Sequence, residues 1–242
     1  MKKLFHEIVR DAVIIIALLA FTWLCYVSYI SRQQLDVASN TDQTAVTVDG
    51  QKITLGDMAF YILYEERKVE RMAEIYNPDN TRDFWNIHTN GYFVSGQAKE
   101  AVMGMAVHDR IFYRAALSKG LVLTEEESKK LENRRTDFWE DLYPEQTKHL
   151  LTDYDSINET MKEIALAEKY QAYLADQNHT TYDAYDWDGK DYEDLLDEDH
   201  KVKINQRIWH RVFLGNITIS HEKVNFINGQ TDEEKEQAKE AE

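Results

Sequence analysis

The sequence predicts a mainly helical fold completed by a small antiparallel sheet, and three observations carry that expectation. Of 242 residues only nine are Gly and two are Pro, too few breakers for a many-turned sandwich or barrel. Apolar residues recur at spacings of three, four and seven over long stretches, several of them introduced by a polar cap. Hydrophobic residues make up 43% and aromatics 12%, enough to build a core rather than a disordered chain.

Charge and cysteine content narrow the function classes. Lys and Arg number 28 against 44 Asp and Glu, a net charge of −16. Such an anion gains nothing from counterion release on phosphates, so nucleic acid is not expected as a partner. The single cysteine, Cys25, excludes an internal disulfide framework and a multi-cysteine zinc site.

Residues 1–11 carry Lys2, Lys3 and Arg10, and 12–30 carry no charge. As a helix 12–30 would extend about 28 Å, close to a hydrocarbon core of roughly 30 Å. The segment reads as one N-terminal transmembrane signal-anchor helix. A cleaved signal peptide fits less well, because the small-residue site Val37-Ala38-Ser39 lies several residues past the apolar run. The basic residues ahead of the span place 1–11 in the cytoplasm and the rest outside, as a single-pass cell-membrane protein with an extracytoplasmic domain. Residues 31–44 are polar and aperiodic and read as a linker.

Val46 and Val48 alternate up to Asp49-Gly50, and Ile53 resumes the pattern, a hairpin signature. Thr54 and Asp57 then form a reciprocal cap before a helix whose buried stripe holds Leu55, Met58, Ala59, Ile62, Val69, Met72 and Ala73. Asn77-Pro78 ends it. Residues 77–94 read as a loop or broken helix rich in aromatics. A second helix runs from Ser95 through Ala98, Val102, Met105 and Phe112 to Lys119-Gly120, where glycine suits the C-terminal turn. Thr124 with Glu127 caps a third helix, to about 142, and Ser156 with Glu159 a fourth, carrying Ile157, Met161, Ile164 and Leu174 to about 177. Residues 179–200 are dominated by Asp and Glu and read as a solvated acidic connector. Val202, Ile204, Ile208, Val212 and Leu214 occupy even positions, a strand period over 201–219 that would pair with 45–54 and join the ends of the fold. Residues 220–242 read as a charged tail.

The order of hairpin (VDGQKITLGDM), long helix and the block AKEAVMGMAVHDRIFYRAALSKGLVLTEEE resembles the N-terminal domain of SurA- and PrsA-type foldases. Ala116, Gly120, Leu121, Thr124 and Glu126 occupy the family's link between helices. The resemblance covers 45–178, with 201–219 as its completing strands. It implies a SurA N-terminal-like helical peptide-binding chaperone domain, related in fold to the C-terminal domain of trigger factor. Relatives often carry a parvulin isomerase domain after the helix matching 156–177. Residues 179–200 are too few to hold one, so the resemblance implies binding without isomerase catalysis.

The residues themselves point to no enzyme class. The histidines form no H-E-x-x-H pair, and aligning Gly189 with the sixth position of a calcium loop places Ala184 and Leu195 where carboxylates are required. No G-x-S-x-G or glycine-rich phosphate loop occurs. No catalytic residue, metal or cofactor is expected. Promiscuous peptide binding instead calls for adaptable apolar surface, which Met and planar aromatics supply. Met58, Ile62, Met72, Met103, Met105, Phe112 and Met161 lie on three helices that could bound a groove, or could fill the core between them. Trp85, Tyr92 and Phe93 in the loop and Trp209 in the late strand complete the candidate set. The expected function is a membrane-anchored extracytoplasmic chaperone-like protein that binds unfolded or secreted polypeptides. The alternative is a bitopic scaffold recruiting one folded membrane or envelope partner in a secretion or cell-envelope complex.

Overall fold

A computed structural model describes residues 2–219 apart from 32 and 90, and also leaves the side chains of 2–12, 27, 28, 30 and 31 undescribed. The tail expected over 220–242 lies outside the described residues. In chain order the elements are α1 (Lys2–Ser31), a 3₁₀ turn (Ala38–Asn40), β1 (Thr44–Val48), β2 (Gln51–Thr54), α2 (Ala59–Tyr76), α3 (Thr81–Phe84), β3 (His88–Thr89), β4 (Tyr92–Phe93) and α4 (Val94–Ser118). There follow α5 (Glu125–Glu140), α6 (Pro144–Lys148), α7 (Tyr154–Gln177), a second 3₁₀ turn (Tyr182–Tyr185), α8 (Lys190–Asp199), β5 (Val202–Ile204) and α9 (Gln206–Trp209). The fold is mainly helical with two small antiparallel sheets.

Among the described residues no helix is long and apolar enough to cross a membrane. This overturns the transmembrane anchor expected at 12–30, and with it the single-pass localisation with a cytoplasmic N-terminus.

The hairpin forms as its sequence dictates. Asp49 and Gly50 take φ of 50° and 82°, the positive values a tight turn between paired strands needs. β5 joins the other side of β1, giving the order β2-β1-β5 with Val46 opposite Ile204 and Val48 opposite Val202. Asp49 fastens this closure: its Oδ1 accepts the Lys201 N–H at 2.9 Å and its Oδ2 lies 2.8 Å from His200 Nδ1. The Lys201 N–H first, then His200, hold the Asp49 carboxyl below its ordinary value. The strand expected over 201–219 stops at Ile204. Asn205 turns the chain, its Nδ2 donating to Thr44 O and its carbonyl accepting from the Ile208 and Trp209 N–H groups, so Val212 and Leu214 are buried from turns instead.

The Thr54–Asp57 and Thr124–Glu127 caps both form reciprocally. The α7 cap falls elsewhere than expected, since Asp153 Oδ1 accepts the Ser156 N–H at 2.8 Å and starts the helix at Tyr154. Two segments read as linkers are folded. Leu35 and Val37 are buried, and the Leu35 N–H donates to Arg211 O, so the segment from Leu35 packs on the domain. Residues 179–200 contain a 3₁₀ turn and α8, anchored by buried Tyr185 and Tyr192.

α4 packs along α7 on one side and α2 on the other. One core lies between these helices and the sheet, around Met58, Ile62, Val102 and Phe112; a second joins Leu63 to Leu131, Phe138 and Ile157 of α5 and α7. The return segment is locked to α2 by a carboxylate. Glu66 is fully buried, and its Oε1 accepts the Gly215 and Ile217 N–H groups at 2.9 and 3.1 Å. Its Oε2 accepts the Thr218 N–H at 3.2 Å and the Thr218 hydroxyl. Gly215 has φ +94°, and a Cβ there would come within 2.7 Å of the Trp85 ring, so only glycine fits.

Burial pushes the Glu66 carboxyl above its ordinary 4.5, and the hydrogen bonds oppose that rise. Glu66→Gln sets an amide donor against donors of Thr218 and should cost about 1–3 kcal/mol in urea denaturation. Because the folded value is raised, the contribution of Glu66 is full below the ordinary 4.5 and is lost as pH rises through the raised folded value. The advantage of wild type over Glu66→Gln should therefore be largest in acid and shrink toward neutrality.

Candidate functional site

A cleft of about 550 Å³ opens between α2, α4, α5 and α7. On α2 the residues Phe60, Tyr64 and Arg67, spaced four and three apart, point into it beside the core stripe. Phe60 stacks on Tyr64 at 6.0 Å and lies 4.9 Å from Phe138 of α5. Partly buried Met105 from α4 and Ile164 from α7 supply apolar surface, Met161, 6% exposed and part of the second core, lies at its base, and Trp187 lines it. The volume falls within the usual range for small-ligand sites.

The wall contains a buried polar cluster. His108 Nδ1 lies 2.7 Å from Asp109 Oδ1 and its Nε2 lies 2.9 Å from Tyr185 O, while Tyr61 OH donates to Asp109 Oδ2 at 3.1 Å. Burial first, then the Asp109 charge, pushes the Tyr61 hydroxyl well above its ordinary value. Both His108 nitrogens are engaged by the protein itself, and through the Tyr185 carbonyl the cluster braces α4 against the 182–185 turn.

The rim is charged. Arg67 Nη1 pairs with Asp141 at 2.9 Å and sits 5.6 Å from the Tyr64 ring centroid, while Arg134 Nη1 bonds both oxygens of Glu168 at 2.7 and 2.8 Å. With Asp109, Asp137 and Asp186 also lining the cleft, carboxylates outnumber the two guanidiniums. Cations flanking an apolar ligand are therefore favoured over anions.

A second groove, of about 490 Å³, runs between α4, α8, β5 and α9. Trp187 borders both cavities and lies on Gly104 of α4, where a Cβ would meet its ring at 2.3 Å. Lys99 Nζ lies in this groove 5.3 Å from the Trp209 ring centroid and 5.8 Å from that of Phe213. Burial lowers the Lys99 ammonium to about 8.

No family model, curated protein or solved structure matches the chain. Among the described residues no group of three or more His, Cys, Asp and Glu could hold a metal ion.

The structure divides the candidate residues. Met105 and Met161 meet in the first cleft, and Met103 and Trp209 line the second groove. Met58, Ile62 and Phe112 are wholly buried in the core and present no surface to a ligand. Met72 packs against that core, and Trp85 is buried with its Nε1 donating to Glu70 at 3.0 Å. Tyr92 and Phe93 are 64% and 55% exposed on the β3–β4 hairpin and line neither cavity. Phe60, Tyr64, Phe138 and Trp187 went unnoticed in the sequence. The spacing of Phe60, Tyr64 and Arg67 along one helix edge was the available signal for two of them.

Competitive labelling of all amines with an acylating reagent across pH, read by mass spectrometry, checks the Lys99 environment. Lys99 should reach half-maximal reactivity near pH 8, well below the ordinary lysine value of about 10.4.

Proposed function

We propose that this protein is a non-catalytic, chaperone-like binder that holds an extended segment of unfolded polypeptide in the cleft between α2, α4, α5 and α7. One observation carries the reading: an open cleft of about 550 Å³ whose apolar surface comes from methionines and stacked aromatics. Unbranched Met adapts to varied side chains, and aromatic planes give contact area at low rotamer cost. The acid-rich rim adds a preference for apolar stretches flanked by Lys or Arg. The resemblance of 45–178 to foldase N-terminal domains supports the same reading, as does a His108 ring fully engaged by the protein itself.

The test uses the full chain with fluorescent unfolded peptides of unrelated sequence that combine apolar residues with Lys or Arg. Several should bind with micromolar affinity, and Met105→Glu, which puts a charge on a partly exposed wall of the cleft, should weaken them by about tenfold or more, a loss of roughly 1.4 kcal/mol. Proline-peptide isomerisation should stay at the background rate. Binding of one folded partner but of no unfolded peptide would establish the scaffold reading in its place.

A further inference from the structure

The geometry points to a second peptide site, in which an extended segment with alternating apolar and acidic residues adds to the free edge of β5 and lays its apolar side chains in the groove over α4. The register of the sheet carries the argument. Asn205 N–H donates to Ala45 O and Asp49 N–H donates to Lys201 O, so odd-numbered residues of this stretch bond to β1. In an antiparallel ladder the alternate residues turn their N–H and C=O outward. Val202 and Ile204 therefore present their backbone groups to the open side, where no further strand lies among the described residues. An unpaired edge of this kind is a template for strand addition.

What lies beside the edge specifies the occupant. Val202 and Ile204 stand opposite Val48 and Val46, whose side chains are fully buried, so their own side chains share the core-facing side of the sheet. The groove of about 490 Å³ continues that face, with Met103, Leu196 and Trp209 among its lining. An added strand would place every second side chain there. Its intervening side chains would project from the opposite face, beside exposed Lys201 and Lys203. Cross-strand neighbours of opposite charge are favourable and like charges are not, so acidic residues suit those positions.

The charge pattern is local. From 201 to 211 the chain reads KVKINQRIWHR, with Lys201, Lys203, Arg207 and Arg211 and no acid, in a protein of net charge −16. Lys99, held over the Trp209 and Phe213 rings, adds a cation within the groove, and Glu100 is the acidic residue that lines it. β2, the other edge of this sheet, borders neither cavity. This site differs in place and in charge preference from the cleft, and its failure would leave that reading standing.

The experiment measures binding of a fluorescein-labelled peptide alternating Val or Ile with Asp or Glu to the full chain by anisotropy. Two control peptides accompany it: one with Lys replacing the acids, and one N-methylated at alternate residues so that one backbone edge cannot donate. The acidic peptide should bind with micromolar affinity, and each control should bind about tenfold or more weakly. Lys203→Glu and Lys99→Glu should each weaken the acidic peptide, and added salt should do the same. Val202→Pro, at the exposed first residue of β5, removes an outward N–H without touching the β1 ladder and should abolish binding while the melting temperature holds. Met105→Glu, in the cleft, should leave this peptide unaffected. Absence of binding, equal affinity for the N-methylated or Lys-containing peptide, or loss through Met105→Glu alone would overturn the proposal.

Discussion

The arrangement depends on one buried carboxylate. Glu66 sits on the face of α2 away from the cleft and receives hydrogen bonds from Gly215, Ile217 and Thr218. Without them three backbone donors of the return segment would be buried and unmet, which is costly in a low-dielectric interior. Gln146 extends the lock, donating to Leu63 O at 2.9 Å and to Thr218 Oγ1 at 3.4 Å. α2 is thus held from behind by polar contacts, and its front edge remains free to present Phe60, Tyr64 and Arg67.

α4 plays the complementary part. Phe112 and Val102 face the core, His108 and Asp109 brace the turn at 182–185, and Met103 and Met105 look into different cavities. Trp187, seated on Gly104, is the partition between them. The two cavities differ in electrostatics because their outer walls do: α5 and α7 set carboxylates around the cleft, while β5 and α9 bring the basic stretch to the groove.

Much of the scaffold was legible because its signals are local. Asp49-Gly50, the Thr54–Asp57 and Thr124–Glu127 caps and the three-and-four spacing of α2, α4 and α7 each specify structure within a few residues. The pairing of 202–204 with β1 also followed from alternation, but the same alternation at Ile208 and Val212 misled, because Asn205 bonds back to β1 and turns the chain. Residues 179–200 were misread because charge density masks anchors: Tyr185 and Tyr192 bury their rings while the acids around them stay in water. At 12–30 composition alone suggested a span, whereas the structure contains no described helix long and apolar enough to make one. The site was half legible. Periodicity identifies which residues turn inward, but a core and a cleft attract the same residue types, so Met58 and Met161 look alike until the helices are assembled.

If the cleft binds unfolded chains, Met105 on its wall and Met161 at its base should sense them, while Met58, on a neighbouring helix, is sealed in the core. Methyl-labelled methionine NMR of the full chain, titrated with an unlabelled unfolded polypeptide rich in apolar and basic residues, reads this directly. The account predicts saturable shifts of the Met105 and Met161 methyl signals with Met58 unmoved. Binding that leaves both cleft methyls unchanged would contradict it.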